Sequence, residues 1–211
     1  MLLQAGLVLM LGLGLGAQAP AAAPARYRVR LATSKGVIVI AVNRAWAPHA
    51  ADRFYTLVRS GYYDQARFFR VIAGRWAQFG IAADPVVSAR WRSRTIPDDP
   101  PRQPNLRGTV AFAFKDPGGR TTQVFINLRN NSPALDRQGF APFGRVVQGM
   151  AAADRLYAAY GERAGGGIRA GHQQPLFAQG NAYLLARFPR LDFIRHATIA
   201  PGGGGGAPGP A

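Results

Sequence analysis

The sequence predicts a mainly β domain: a closed or nearly closed antiparallel barrel with two helices. Three observations lead there. Short runs of alternating or wholly apolar residues recur along the chain, turn signals separate them, and only two segments carry helical spacing. Tyr27–Leu31 alternates apolar and basic residues, and Gly36–Val42 is an apolar run. Thr33-Ser34-Lys35-Gly36 between them reads as a hairpin turn. Pro48–Ser60 places Phe54, Leu57 and Val58 on one helical face, with Pro48 in the first turn and Gly61 after the end. Further strands are expected at Phe68–Ile72, Trp76–Phe79, Gly108–Phe114, Gln123–Asn127, Phe143–Val147 and Leu191–Ile199. A second helix is expected over Gln148–Tyr160, ended by Gly161.

The chain has 211 residues, 48% hydrophobic and 10% aromatic, which suits one globular domain with appendages. Such a body buries roughly 70% of its unfolded surface without a disulfide or metal staple. Residues 1–25 hold no charged side chain; Leu2–Gly16 is apolar and small residues and prolines follow, as in a signal peptide. Cleavage is expected after Ala21 or Ala25, the alternative being an uncleaved N-terminal anchor. Either way the domain faces the exported side, in the periplasm or outside the cell. Residues 201–211 are a Gly/Pro tail expected to be disordered, so the folded body is 26–200.

The absence of Cys excludes thiolate metal sites, thiol nucleophiles and Fe–S clusters. The net charge is +16, from 26 basic against 10 acidic residues. Lys35 and Lys115 are the only lysines and Glu162 is the only glutamate. The arginines are scattered, with no basic run or recognition helix, so adhesion to polyanions is expected but no specific nucleic-acid partner. His49, His172 and His196 are far apart and lack metal-ligand spacing, and neither a zinc-protease helix motif nor a nucleophile elbow occurs. Asp98-Asp99 in a proline-rich stretch reads as a solvated turn, and Gly165–Ala170 as a loop rather than a dinucleotide site. No metal or cofactor is expected.

What remains is Arg70, between Phe68 and Ile72 on one expected strand face, with Gln78, Gln123, Phe125 and Asn127 on neighbouring strands. A guanidinium among aromatics and amides, without acid, base or nucleophile, suits peptide binding or a reaction that breaks no covalent bond. Gly61-Tyr-Tyr-Asp64, Phe68–Gly74, Gln78-Phe-Gly80, Arg107–Ala111, Thr122–Asn127, Leu135-Asp136 and Gly139–Val146 follow in the order and spacing of one family. Over roughly residues 27–200 the chain resembles the cyclophilin-type peptidyl-prolyl cis-trans isomerases. Asn181–Leu185 and Phe188–Asp192 resemble a C-terminal segment of exported bacterial members.

The resemblance implies a closed eight-stranded antiparallel barrel capped by two helices, acting on proline-containing polypeptides as a monomer. It implies Arg70 as catalytic donor, oriented by Gln78, and Phe125 as floor of a proline pocket with Leu135 and Ile72 as walls. Gln123 and the Phe114 backbone would bind the peptide, Ala113 would let it approach, Phe140 would also contact it, and Trp76 would either fill the proline pocket as an aromatic replacement or block it. Several positions depart from the family pattern. Phe69 replaces a frequent His, Ala73-Gly-Arg75-Trp76 replaces Pro-Gly-Phe-Met, and Phe114 replaces a frequent Asn. Ala134 stands where cyclosporin-sensitive members carry Trp, and Phe140 near their later His. These changes bear on catalytic rate and cyclosporin binding. A catalytically weak module that binds proline segments as chaperone or scaffold is the second expectation, and a basic envelope protein adhering to polyanions the third.

Overall fold

A computed structural model describes residues 22–163 and 172–200. The apolar leader to residue 21, the Gly165–Ala170 loop and the 201–211 tail fall outside the described residues. In chain order the elements are β1 (Arg26–Thr33), β2 (Gly36–Asn43), α1 (Pro48–Arg59), β3 (Arg70–Ile72), β4 (Trp76–Phe79), α2 (Pro85–Trp91), β5 (Thr109–Phe112), β6 (Val124–Asn127), α3 (Ser132–Leu135), β7 (Pro142–Gln148), α4 (Met150–Asp154), α5 (Gln174–Gln179), α6 (Asn181–Arg187) and β8 (Ile194–Ile199).

The eight strands form one antiparallel sheet in the order β3-β4-β6-β5-β7-β2-β1-β8. The sheet curls, but it is an open half-barrel and not the closed barrel expected from sequence. Its end strands β3 and β8 share no ladder. The seam is spanned instead by the chain before β3: Arg67 bridges Phe193, Ile194 N–H donates to Ala66 O, and Phe68 N–H donates to Asp192 O. Asp64 caps a further edge donor, the Ala197 amide, at 2.9 Å. Because residues 66–68 pair across the seam, the β3 ladder begins only at Arg70. Phe68 therefore joins the main core and does not share the face of Arg70.

The alternating β1 sequence places Tyr27, Val29 and Leu31 inward and Arg26, Arg28 and Arg30 outward. Together with Ile38, Ile40, Phe79, Phe112, Ile126 and Phe143 they fill the sheet's concave side, plugged by Phe54 and Leu57 of α1. Gly61, just beyond α1, takes φ +68°, the left-handed turn expected of it. The second expected helix is much shorter than Gln148–Tyr160, ending at Asp154. The short α5 and α6, absent from the expectation, form a smaller core in which Leu176 and Leu184 cover Phe69, Ile81 and Leu191.

Asp98-Asp99 is not a solvated turn. No side chain at the Ala47 N-cap serves α1, and the buried Asp99 carboxylate reaches in to accept from the His49 and Ala50 amides at 3.2 and 2.9 Å. Ahead of β1, Ala23 is buried and its amide donates to Asp52 at 2.9 Å, beside a two-pronged Arg44–Asp52 pair. Burial alone would push the Asp52 carboxyl up. The Arg44 guanidinium and the Ala23 amide outweigh that and hold it below its ordinary value.

Two expectations follow. Asp99→Ala should lower stability by about 1–2 kcal/mol in urea denaturation, since two helix-end amides lose their buried acceptor. For Asp52, the folded carboxyl sits below the unfolded one. Its stabilisation is therefore complete above the unfolded value of about 3.9 and is lost as pH falls through the lower folded value. The stability gap between parent and Asp52→Asn should be largest near neutrality and close on acidification, measured by denaturation at a series of pH values.

Candidate functional site

The sheet register builds the site. Arg70 pairs with Gln78, Gln78 with Phe125, and Phe125 with Ala111, giving one row across β3, β4, β6 and β5. Their neighbours Val71, Ala77, Val124, Ile126, Val110 and Phe112 point into the main core. By the two-residue period of a strand, the row therefore faces the opposite side. There Ala111, Ala113, Phe125 and Leu135 form a separate apolar cluster bordered by Trp76 and Phe140. Gly80 closes this region from behind. Its φ is +110°, and a Cβ there would lie 2.4 Å from Thr122 O and 2.8 Å from the Gln123 Cα.

The row opens into a cleft of about 350 Å³ lined by Arg70, Trp76, Gln78, Ala113, Phe114, Phe125, Leu135 and Phe140, with Lys115, Pro117 and Gln138 at its margin. Eight of the ten residues singled out in the sequence thus meet in one cavity. Ile72 is not on it; its cross-strand partner Trp76 takes that wall. Gln123 lines an adjoining cavity of about 240 Å³ with Arg92, Lys115, Gln173, Gln174 and Phe177.

Arg70 is 7% exposed. Its Nη1 donates to Gln78 Oε1 at 3.2 Å and its Nη2 to Glu162 Oε1 at 2.5 Å, while Nε is buried without a partner. Trp76 does not fill the cleft. Its indole is flanked by the Arg70 and Arg75 guanidiniums at 5.0 and 4.6 Å, a cation–π arrangement that keeps the ring against the wall. Gln78 is 1% exposed, and its Nε2 donates to Gln123 Oε1 at 2.8 Å.

The aromatic side of the cleft has its own supports. Phe140 packs on Phe114 at 4.4 Å and meets Phe125 edge-on at 5.5 Å. Buried Arg120 lies 3.8 Å over the Phe114 ring, donates to Gly139 O at 2.6 Å and pairs with Asp98. It thereby ties the Phe114 loop to the Phe140 loop. Asn105 Nδ2 donates both to Asp136 Oδ1 at 2.7 Å and to Phe140 O at 2.8 Å. Burial pushes the Asp136 carboxyl up, but hydrogen bonds from Ser132 and Asn105 outweigh it and leave it below its ordinary value.

Sequence reasoning missed Glu162, Arg120 and Gln173. Arg120 and Gln173 gave no local signal; Glu162 gave one, as the chain's single glutamate. Among the described residues no three His, Asp or Glu side chains gather closely enough to hold a metal ion. The cleft offers fixed N–H donors beside an apolar slot, which is chemistry for gripping a ring and hydrogen-bonding an amide.

The chain has relatives in both sequence and fold. The sequence model of the family described as cyclophilin type peptidyl-prolyl cis-trans isomerase/CLD matches residues 28–167. A peptidyl-prolyl cis-trans isomerase of Streptomyces antibioticus is 36% identical over 136 residues, 60% of this chain and 80% of that protein. Peptidyl-prolyl cis-trans isomerase A of Dickeya dadantii is 34% identical over 130 residues, 60% of this chain and 68% of that protein. Among solved structures, a Cryptosporidium parvum cyclophilin-type isomerase aligns with TM-score 0.60 at 20% identity, covering 84% of this chain and 99% of that one. The same parasite protein solved in the presence of the dipeptide Ala-Pro aligns with TM-score 0.59 at 21% identity, covering 83% and 99%. These structures speak for the fold, and the sequence matches for descent: the chain belongs to the cyclophilin-type peptidyl-prolyl cis-trans isomerase family.

Proposed function

We propose that the cleft accelerates rotation about X–Pro bonds of polypeptides, with Arg70 as the catalytic donor and Gln78 as the residue that orients it. One observation carries this reading: a guanidinium buried in the wall of an aromatic slot and fixed by a buried amide. Amide resonance sets a rotation barrier of about 18–20 kcal/mol, so uncatalysed isomerisation takes tens of seconds or longer. Lowering it by about 7 kcal/mol gives roughly a 10⁵-fold acceleration. As the bond twists, resonance is lost and the prolyl nitrogen regains a lone pair. A guanidinium N–H already in place can donate to that nitrogen without reorganising. Phe125, Leu135 and Phe140 grip the pyrrolidine ring, the Phe114 backbone and Gln123 hold the flanking peptide, and Ala113 leaves it room. No proton is transferred, so the step requires no titrating side chain.

A second reading, a proline-segment binding module with weak catalysis, is favoured by the contacts that occupy Arg70 on the open side, Trp76 and Glu162. A protease-coupled assay on a proline peptide separates the two. Arg70→Ala should reduce kcat/KM by about 10²–10³-fold, the usual loss when one transition-state donor is removed. A parent no faster than the variant would leave only the binding module.

We also propose that the protein acts on the exported side of the cell, as a monomer and without a specific nucleic-acid partner. The apolar run Leu2–Gly16 and the Ala-x-Ala sequence before residue 22 support export. Among the described residues no helix is long and apolar enough to cross a membrane. The docking of Ala23 on Asp52, and of Ala25 O on the Arg44 amide at 2.9 Å, favours cleavage after Ala21, which keeps both contacts. Mass spectrometry of the exported chain should find Ala22 at the amino terminus. A start at Arg26 would reject that site, and an intact leader would reject cleavage.

A further inference from the structure

We propose that Glu162 and Gln173 are positioning residues that fix the Arg70 guanidinium from the two ends of one hydrogen-bonded relay; the proposal rests on the catalytic reading of Arg70. The relay runs Glu162–Arg70–Gln78–Gln123–Gln173. Its links are Arg70 Nη2 to Glu162 Oε1 at 2.5 Å, Arg70 Nη1 to Gln78 Oε1 at 3.2 Å, Gln78 Nε2 to Gln123 Oε1 at 2.8 Å, and Gln123 Nε2 to Gln173 Oε1 at 2.9 Å.

The direction of every link is dictated by Arg70. A guanidinium only donates, so the Gln78 amide must turn its oxygen to Arg70 and its nitrogen to Gln123. The Gln123 amide must then turn its oxygen back to Gln78, which leaves its nitrogen facing Gln173. Gln173 supplies the acceptor for that nitrogen and donates back from its own Nε2 to Gln123 Oε1 at 3.3 Å, so the two amides close on each other. Without Gln173, the Gln123 amide is fixed only through Gln78. A flip of Gln123 or Gln78 would set donor against donor and release Nη1. At the other end Glu162 fixes Nη2. A guanidinium held at both Nη atoms cannot turn about its Cζ–Nε bond, and its remaining N–H groups stay aimed at the slot.

Stability alone does not account for these two residues. Glu162 is more than half exposed but its partner Arg70 is buried, so the pair serves folding as well as position, and only a readout that passes through Arg70 separates the two. Gln173 is only partly buried and lies beyond residues 28–167, where the family sequence model ends.

The experiment measures kcat/KM for Gln173→Leu, Gln173→Glu, Glu162→Leu and Glu162→Gln, each in the parent and in an Arg70→Ala background. Gln173→Glu and Glu162→Gln keep the accepting oxygen, whereas leucine removes it; Gln173→Glu gives up only the longer 3.3 Å donation to Gln123 Oε1. Each leucine variant should lose about tenfold in kcat/KM at a temperature where it and the parent are both fully folded, while the variants that keep an acceptor retain most of the rate. In the Arg70→Ala background none should have an effect, because the residues act through Arg70. Equal losses with and without Arg70, or equal behaviour of leucine and acceptor variants, would overturn the proposal. The ¹⁵N guanidinium spectrum of Arg70 provides a readout independent of turnover. The parent should show two resolved Nη signals, and Gln173→Leu should merge them through faster rotation. If the parent has no Arg70-dependent activity, the catalytic reading fails, and this spectrum alone decides the positioning. Unchanged Nη signals in both leucine variants would then reject it.

Discussion

A positive charge that is 7% exposed, in the wall of an apolar slot, is the constraint around which this molecule is organised. Burying an unpartnered guanidinium is costly, so the surroundings must supply acceptors of defined direction. The antiparallel register does so by setting Gln78 opposite Arg70 and Phe125 opposite Gln78. The row that satisfies the charge also floors the cavity. A register slip of one residue would send Arg70 into the hydrocarbon core and Val71 into the cleft. The glycine at 80 and the Tyr62 and Tyr63 hydroxyls, which reach Thr122, hold the adjacent strand end in place. The motif Gly61-Tyr-Tyr-Asp64 is thus mainly scaffolding: a helix stop, two buried anchors and an edge cap for β8.

The departures from the family pattern acquire physical reasons. Phe69 is outside the cleft lining, in the smaller core covered by Leu176 and Leu184, where an imidazole would have to be desolvated. Trp76 takes a place next to two guanidiniums, and its flat ring shares the wall with Arg70 instead of filling the slot. Phe114 is stacked beneath Arg120 and against Phe140, so this side of the cleft is aromatic and cation-supported. The neighbouring cavity borrows Phe177 from α5 and Gln173 just before it, so the C-terminal helices contribute to the surroundings of the site.

Much of this was legible in the sequence, and the remainder shares a cause. Strands with a two-residue burial period, such as β1, reveal both their existence and their faces. Trp76–Phe79 and Val124–Asn127 are strands where the sequence expects them, although both are buried almost throughout and show no such period, and eight of the ten residues read as site-forming converge. What escaped depends on contacts distant in sequence. The open seam arises because residues 64–68 cap β8, a pairing no local pattern encodes. Phe68 leaves the face of Arg70 for the same reason. Asp98 and Asp99 look solvated until Arg120 and the start of α1 arrive beside them. The helices α5 and α6 are too short to show a sustained helical period, and Glu162 meets Arg70 from 92 positions away.

A preset guanidinium that stabilises the twisted amide, rather than one of its planar isomers, must speed exchange without moving the equilibrium. Exchange NMR of a proline peptide at equilibrium, with catalytic amounts of protein, addresses this directly. Cis–trans exchange cross-peaks should grow strongly while the cis fraction of the free peptide stays where it was. A cis or trans population shifted in proportion to the protein added, with no faster exchange, would mean that the cleft stabilises a ground state, and would contradict the account.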